Sequence, residues 1–182
     1  MKKKSERRKQ PRTGEQSERR FFNLLRRGTQ ALQDRELDKA IQLLERAYQL
    51  DPENEDAALN LGGAYVLSKK HAQALSILEP LSEREPENPM VWTNLGAAYL
   101  GNPVLARDQD QRRAIAAFER AIELNPVTPH VAYNLGLIYR DRKENREALY
   151  WFRRAVQADP NDQDARRYVK RLTQALAEEE QQ

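Results

Sequence analysis

A glycine recurs along this chain at a spacing that few folds can use. Gly28, Gly62, Gly96 and Gly136 are separated by 34, 34 and 40 residues. Twelve residues after three of them stands an alanine, Ala40, Ala74 or Ala148, whereas after Gly96 the gap to Ala114 is 18. One insertion of six residues between Tyr99 and Ala114 restores the other columns, and Pro52, Pro86, Pro126 and Pro160 then close four units. The units run over 21–54, 55–88, 89–128 and 129–162. A period of this length signals one supersecondary unit, repeated because a single copy cannot bury its own apolar face.

Each unit reads as two helices. In the fourth, Ala132, Leu135, Gly136 and Tyr139 fall at i, i+3, i+4 and i+7, one face of a helix, and Ala148, Phe152 and Ala155 supply a second face. The glycine and alanines let the two helices approach closely, and the aromatic residues fill the space against neighbouring units. The second helix stops at "LDP", "REP", "LNP" or "ADP", since proline disfavours helical geometry in the residue before it. Asn54, Asn88, Thr128 and Asp162 are the expected N-caps of the helices that follow, with Pro89 and Pro129 in the first turn of two of them. Pro80 falls inside a helix and predicts a local kink or a shortened helix there.

These columns carry a family resemblance. "WTNLGAAY" followed by "AIAAFERAIELNP" resembles the tetratricopeptide repeat, and the similarity extends over residues 21–162. It implies an all-α fold: a right-handed solenoid of four helix-turn-helix repeats whose first helices line a concave groove. The first copy departs most, with Arg27 and Ala31 where the others hold leucine and tyrosine. After the last copy, Ala165, Tyr168, Val169, Leu172 and Leu176 form one stripe, with Arg166, Arg167, Lys170 and Arg171 facing away. Residues 163–182 therefore read as a capping helix and tail, as repeat arrays require at an end.

Composition limits the chemistry. With no cysteine there is no disulfide or thiolate, and no apolar run approaches the ~20 residues of a membrane span. The start also lacks the apolar stretch of a secretory signal, so a cytoplasmic setting is expected. His71, expected in a turn, and His130, expected in a first helical turn, read as solvated surface residues. No metal-ligand spacing or nucleophile motif is present. The expectation is a non-catalytic protein with no catalytic residue, metal or cofactor.

An asparagine column is the candidate binding feature. Asn60, Asn94 and Asn134 each stand two residues before a repeat glycine, and each costs roughly 0.5 kcal/mol against alanine in a helix interior. The resemblance places them on the groove with Gly63, Ala97 and Leu137 one turn on, and with Asp56, Leu59, Met90, Thr93, His130 and Tyr133 nearby. Arg26 takes the asparagine position in the first unit, flanked by Phe22, Leu25 and Thr29. An asparagine offers two donors and an acceptor, enough to bracket the backbone of an extended peptide, while Phe22, Met90 and Tyr133 would select its side chains. Asparagine is also common in this column across the family, so ancestry is the competing explanation. Members that grip acidic chaperone tails hold basic residues and asparagine at the clamp positions. Here Leu25 and Thr29 with Met90 and Asn94, or Leu59 and Gly63 with His130 and Asn134, disfavour that ligand.

Residues 1–20 hold nine Lys or Arg against three Asp or Glu, while 21–182 hold 22 against 25. This tail is expected to be disordered. It is a solubilising segment, an upstream extension of the first helix, or an arm for nucleic acid or another polyanion, although no aromatic is interleaved to stack on bases. The insertion puts Val104 and Leu105 in the turn of the third unit as a candidate partner contact, and Phe21 and Phe22 open an uncapped end suited to self-association. The expected partner is a protein or peptide.

Overall fold

The computed structural model describes residues 13–101, 107–128 and 130–179, within which it contains nine helices and no strand. Residues 1–12, Val104, Leu105 and Pro129 lie outside the described residues. The helices are α1 (Thr13–Gln33), α2 (Leu37–Leu50), α3 (Glu55–Leu67), α4 (His71–Arg84), α5 (Pro89–Leu100), α6 (Asp108–Leu124), α7 (Val131–Asp141), α8 (Asn145–Ala158) and α9 (Gln163–Glu179). They form two compact units, the first ending at Leu61 and the second beginning at Gly62, within α3.

Helix ends follow from local chemistry. Residues preceding proline leave helical geometry, as at Asp51 (φ −149°, ψ 87°) and Asn125 (φ −144°, ψ 100°). The Asn54 carboxamide accepts from Ala57 N–H, that of Asn88 from Met90 N–H, and the Asp162 carboxylate from Asp164 and Ala165 N–H. Three turns inside the helix pairs share one form. Arg35, Lys69 and Lys143 are left-handed (φ 60°, 58° and 63°), and the next residue's N–H returns to the carbonyl five back, as Lys70 does to Tyr65 at 2.8 Å. This is the Schellman arrangement, with a long cationic side chain where glycine is usual.

Several expectations are corrected here. Thr128 does not cap α7: its hydroxyl donates to the Asn125 carbonyl at 2.7 Å, and α7 starts only at Val131, with left-handed His130 before it. His130 is therefore outside the helix. His71 is not in a turn but is the first residue of α4, half-buried. Of the readings of the basic segment, an upstream extension of the first helix holds for residues 13–20, since α1 begins at Thr13. Residues 14–20 are exposed and lack apolar periodicity, so they are helical by propagation from Phe21 and Leu24 rather than by packing. Phe21 and Phe22 thus lie within a helix and do not open the chain end. Pro80 leaves α4 at 14 residues, the length of α2 and α8, because it sits on an exposed face where solvent reaches the carbonyl it cannot bond. Part of the insertion lengthens α6 to 17 residues, and Arg142 binds Asp108 in that extension at 2.7 Å. That bond, ahead of the one from Arg112, holds the Asp108 carboxyl below the usual carboxylate range.

Within each helix pair the repeat glycine meets a large residue of the second helix. A Cβ added at Gly28 would lie 2.7 Å from Leu44, at Gly62 2.5 Å from Leu78, at Gly96 2.6 Å from Phe118 and at Gly136 2.9 Å from Phe152. In the first unit Phe21, Leu24, Leu43, Ala47 and Ala57 form the core. In the second, one cluster surrounds Phe118 and Leu135, and another joins Phe152 to Ala165 and Leu172 of α9. The α9 stripe is buried or half-buried as its spacing predicts, and its four basic residues are exposed.

Gly96→Ala weighs two effects against each other. Alanine gains about 1 kcal/mol of helix propensity over glycine, while overpacking a filled core costs about 1–3 kcal/mol. Phe118 is fully enclosed and cannot swing aside, so the substitution is expected to destabilise by about 1 kcal/mol in urea unfolding, and Phe118→Leu in the same chain to recover part of it. A second prediction concerns α4 and α5. Tyr99 donates to Glu79 at 2.8 Å, and burial, then that carboxylate, push its phenol up to about 12. The folded state therefore favours the protonated phenol. The resulting stability is complete below about pH 10, the unfolded value, and is lost as pH rises towards 12. Tyr99→Phe should lower the melting temperature at pH 8 and shrink its fall between pH 9 and 11.

Candidate functional site

The asparagines are used in two ways. In the first unit Asn60 Nδ2 donates to Thr29 Oγ1 at 3.2 Å, joining α3 to α1. In the second, Asn94 lies over Gly63, where an added Cβ would stand 3.3 Å from its Nδ2, and Asn134 shares a cavity of about 460 Å³ with Ala97. Thr29, Gly63 and Ala97 occupy one position in successive repeats. At that position of the preceding first helix Asn60 thus meets a hydroxyl and Asn94 bare backbone, while Asn134 shares a cavity with an alanine. Among the described residues only Asn60 of the three finds a hydrogen-bond partner for its side chain. Asn94 and Asn134 are half-buried, and neither leaves a polar atom both sealed from solvent and unbonded.

The other candidate residues divide similarly. Leu25 is half-buried against the Phe21 and Leu43 cluster, and Thr93 donates its hydroxyl to the Pro89 carbonyl at 2.8 Å, so both are occupied with packing or with their own helix. Arg26 and Asp56 are exposed, and Leu59 is half-buried. Phe22 is 55% exposed. It stands edge-on to Phe21 at 5.2 Å and lines a cavity with Leu50, Asp51 and Asn54, away from the Asn60–Thr29 bond. Met90 is 49% exposed at the start of α5. Tyr133 packs edge-on to Phe152 and Tyr168 at 5.6 and 6.3 Å, and Leu137 joins the same cluster. In this last pair α9 covers much of the surface that Tyr133 and Leu137 were expected to offer, and Tyr168 stacks on Phe152 at 4.5 Å. His130 and Tyr133 also line a smaller cavity of about 260 Å³ together with Asp159 and Asp162.

Sequence reasoning missed Lys69, His71 and Gly101, which line the 460 Å³ cavity with Asn134. His71 lies against Gly101, whose pairing of φ 56° with ψ −118° favours glycine, and its Nδ1 is buried with no hydrogen-bond partner among the described residues. The signal was available: His71 occupies the repeat column of Leu37, an inward-facing position. Among the described residues no group of three His, Asp or Glu side chains could hold a metal, and no helix is long and apolar enough to cross a membrane.

Two family models, both described as tetratricopeptide repeat, match residues 31–98 and 103–163. The chain belongs to the tetratricopeptide repeat family. Its all-α helical-repeat fold recurs in solved structures. A MamA mutant is 26% identical over 90% of this chain and 92% of its own, with a TM-score of 0.69. MamA MSR-1 is 25% identical over 89% and 90%, at 0.70. The thermophilic tetratricopeptide protein TTC0263 of Thermus thermophilus is 22% identical over 86% and 82%, at 0.70, and shows likeness of fold alone. No curated protein matches the chain. Membership supports a protein–protein interaction scaffold in general, and proteins of this family are generally non-catalytic.

The two uses of asparagine predict stability changes of opposite sign. Asn94→Ala and Asn134→Ala remove the propensity cost and no bond, so each should stabilise by roughly 0.5 kcal/mol. Asn60→Ala gains the same amount but loses a bond worth about 0.5–1.5 kcal/mol, for a net loss of up to ~1 kcal/mol. Denaturant unfolding of the three variants reads both signs.

Proposed function

We propose that this protein captures an extended protein segment against the first helices of its second compact unit. Asn94 and Asn134 would hold the segment's backbone, and Met90 an apolar side chain. The observation that supports this is the pair of solvent-reachable carboxamides without partners among the described residues, one of them in a cavity large enough for a side chain. Asn60, bonded to Thr29, takes a structural part in this reading. So do Leu25, Thr93, Tyr133 and Leu137, whose surfaces are engaged within their own units. Four repeats at 21–54, 55–88, 89–128 and 129–162, with a cap from 163, belong to the same proposal, as does a cytoplasmic setting. The rival reading, polyanion association through the basic N-terminal segment, rests chiefly on residues 1–12, outside the described residues.

An array of random acetylated dodecapeptides, probed with the labelled full chain, tests the proposal. Asn94→Ala and Asn134→Ala should each weaken binding to the selected peptides about tenfold, or 1.4 kcal/mol, while Asn60→Ala changes it little. Unchanged binding by the first two variants would overturn the groove assignment.

A further inference from the structure

We infer that the cavity beside Asn134 accepts a carboxylate of the bound segment. It rests on the peptide-capture reading for the source of that ligand, but its chemistry is its own. The cavity is lined by the apolar groups of Val66, Leu67, Ala97 and Leu100 together with Lys69, His71 and Asn134. All three polar residues lack a partner there. Lys69 forms no ion pair among the described residues, the Asn134 carboxamide makes no hydrogen bond, and His71 Nδ1 is buried and unbonded. Among the described residues no Asp or Glu lines the space.

The group that fits is one that accepts several hydrogen bonds and carries negative charge. A carboxylate does both: the ammonium and the carboxamide N–H can each donate to it, and bonds with an ionised partner are the stronger kind. The apolar wall suits the methylenes of a glutamate. The smaller cavity at His130 and Tyr133 is lined by Asp159 and Asp162 and has the opposite preference. Lys69 is placed by its turn, since its left-handed backbone (φ 58°) is locked by the Schellman bonds at the end of α3. The site lies where the α3–α4 turn meets the end of α5. Apart from Asn134, its residues are not those at the clamp positions that family members use for chaperone tails.

The chain has two histidines, so the imidazole Cε1–Hε1 resonances report on this cavity directly. Titration of the full chain with acetyl-Gly-Glu-Gly-amide should shift the His71 signal saturably and leave His130 unmoved. Acetyl-Gly-Gln-Gly-amide should bind at least fivefold more weakly, and Lys69→Met, which keeps the length of the side chain, should weaken the glutamate peptide similarly without changing the melting temperature. Acetyl-Gly-Ala, with a free terminal carboxylate, tells whether the carboxylate comes from a side chain or a chain end, by whichever peptide binds tighter. Equal response to glutamate and glutamine, or none at His71, would overturn the inference. The dodecapeptide array separates this from the parent reading. Peptides that bind without Asp or Glu enrichment leave the capture reading standing and sink the carboxylate, while a His71 response with no array binding does the reverse.

Discussion

Everything in this fold depends on how closely two helices of a pair can approach, and that is set at one glycine in each. With no side chain at Gly28, Gly62, Gly96 or Gly136, the large residue opposite comes within a distance that a Cβ would forbid. The occupant changes from leucine in the first two pairs to phenylalanine in the last two. The glycine costs about 1 kcal/mol of helix propensity each time. That is offset by burying Leu44, Leu78, Phe118 or Phe152 completely, each worth about 1.5–3 kcal/mol against exposure. With the approach fixed, the small residues Ala40, Ala74, Ala114 and Ala148 are buried without a cavity.

Features whose chemistry is local were legible in the sequence. The proline-terminated second helices, the caps at Asn54, Asn88 and Asp162, and the amphipathic stripe of α9 each follow from a few neighbouring residues. Thr128 failed because a hydroxyl both donates and accepts, and here the Asn125 carbonyl takes its proton. The Asn54 and Asn88 carboxamides accept from Ala57 and Met90 N–H through their oxygens, and an ionised carboxylate such as that of Asp162 can only accept. The helical start at Thr13 was one of the readings open for the basic segment and could not be singled out, because the apolar periodicity that marked the other helices is missing from residues that only continue one.

The asparagine column was legible as a pattern and not as a set of roles. Whether its carboxamide is satisfied depends on a residue one repeat earlier, 31 positions away for Asn60 and Thr29. The repeat alignment places Thr29, Gly63 and Ala97 in one column, yet nothing in the alignment alone says that an asparagine three places off that column reaches back to it. The same holds for His71, whose burial comes from packing against Gly101, at the end of the next repeat's first helix.

This dependence accounts for the graded character of the column. Where the preceding repeat supplies a hydroxyl, the carboxamide closes on it and stitches two first helices together. Where it supplies glycine or alanine, no hydrogen bond can form, and the helix retains an unfavourable residue with no internal gain. A cost left unmet by packing is characteristic of positions kept for function at some expense of stability. The column at Asn94 and Asn134 therefore differs from Asn60 in physical kind. Asn134 stands beside a cavity where, among the described residues, Lys69 forms no ion pair and His71 Nδ1 no hydrogen bond. The carboxylate proposed for that cavity would satisfy the Lys69 ammonium and the Asn134 carboxamide together.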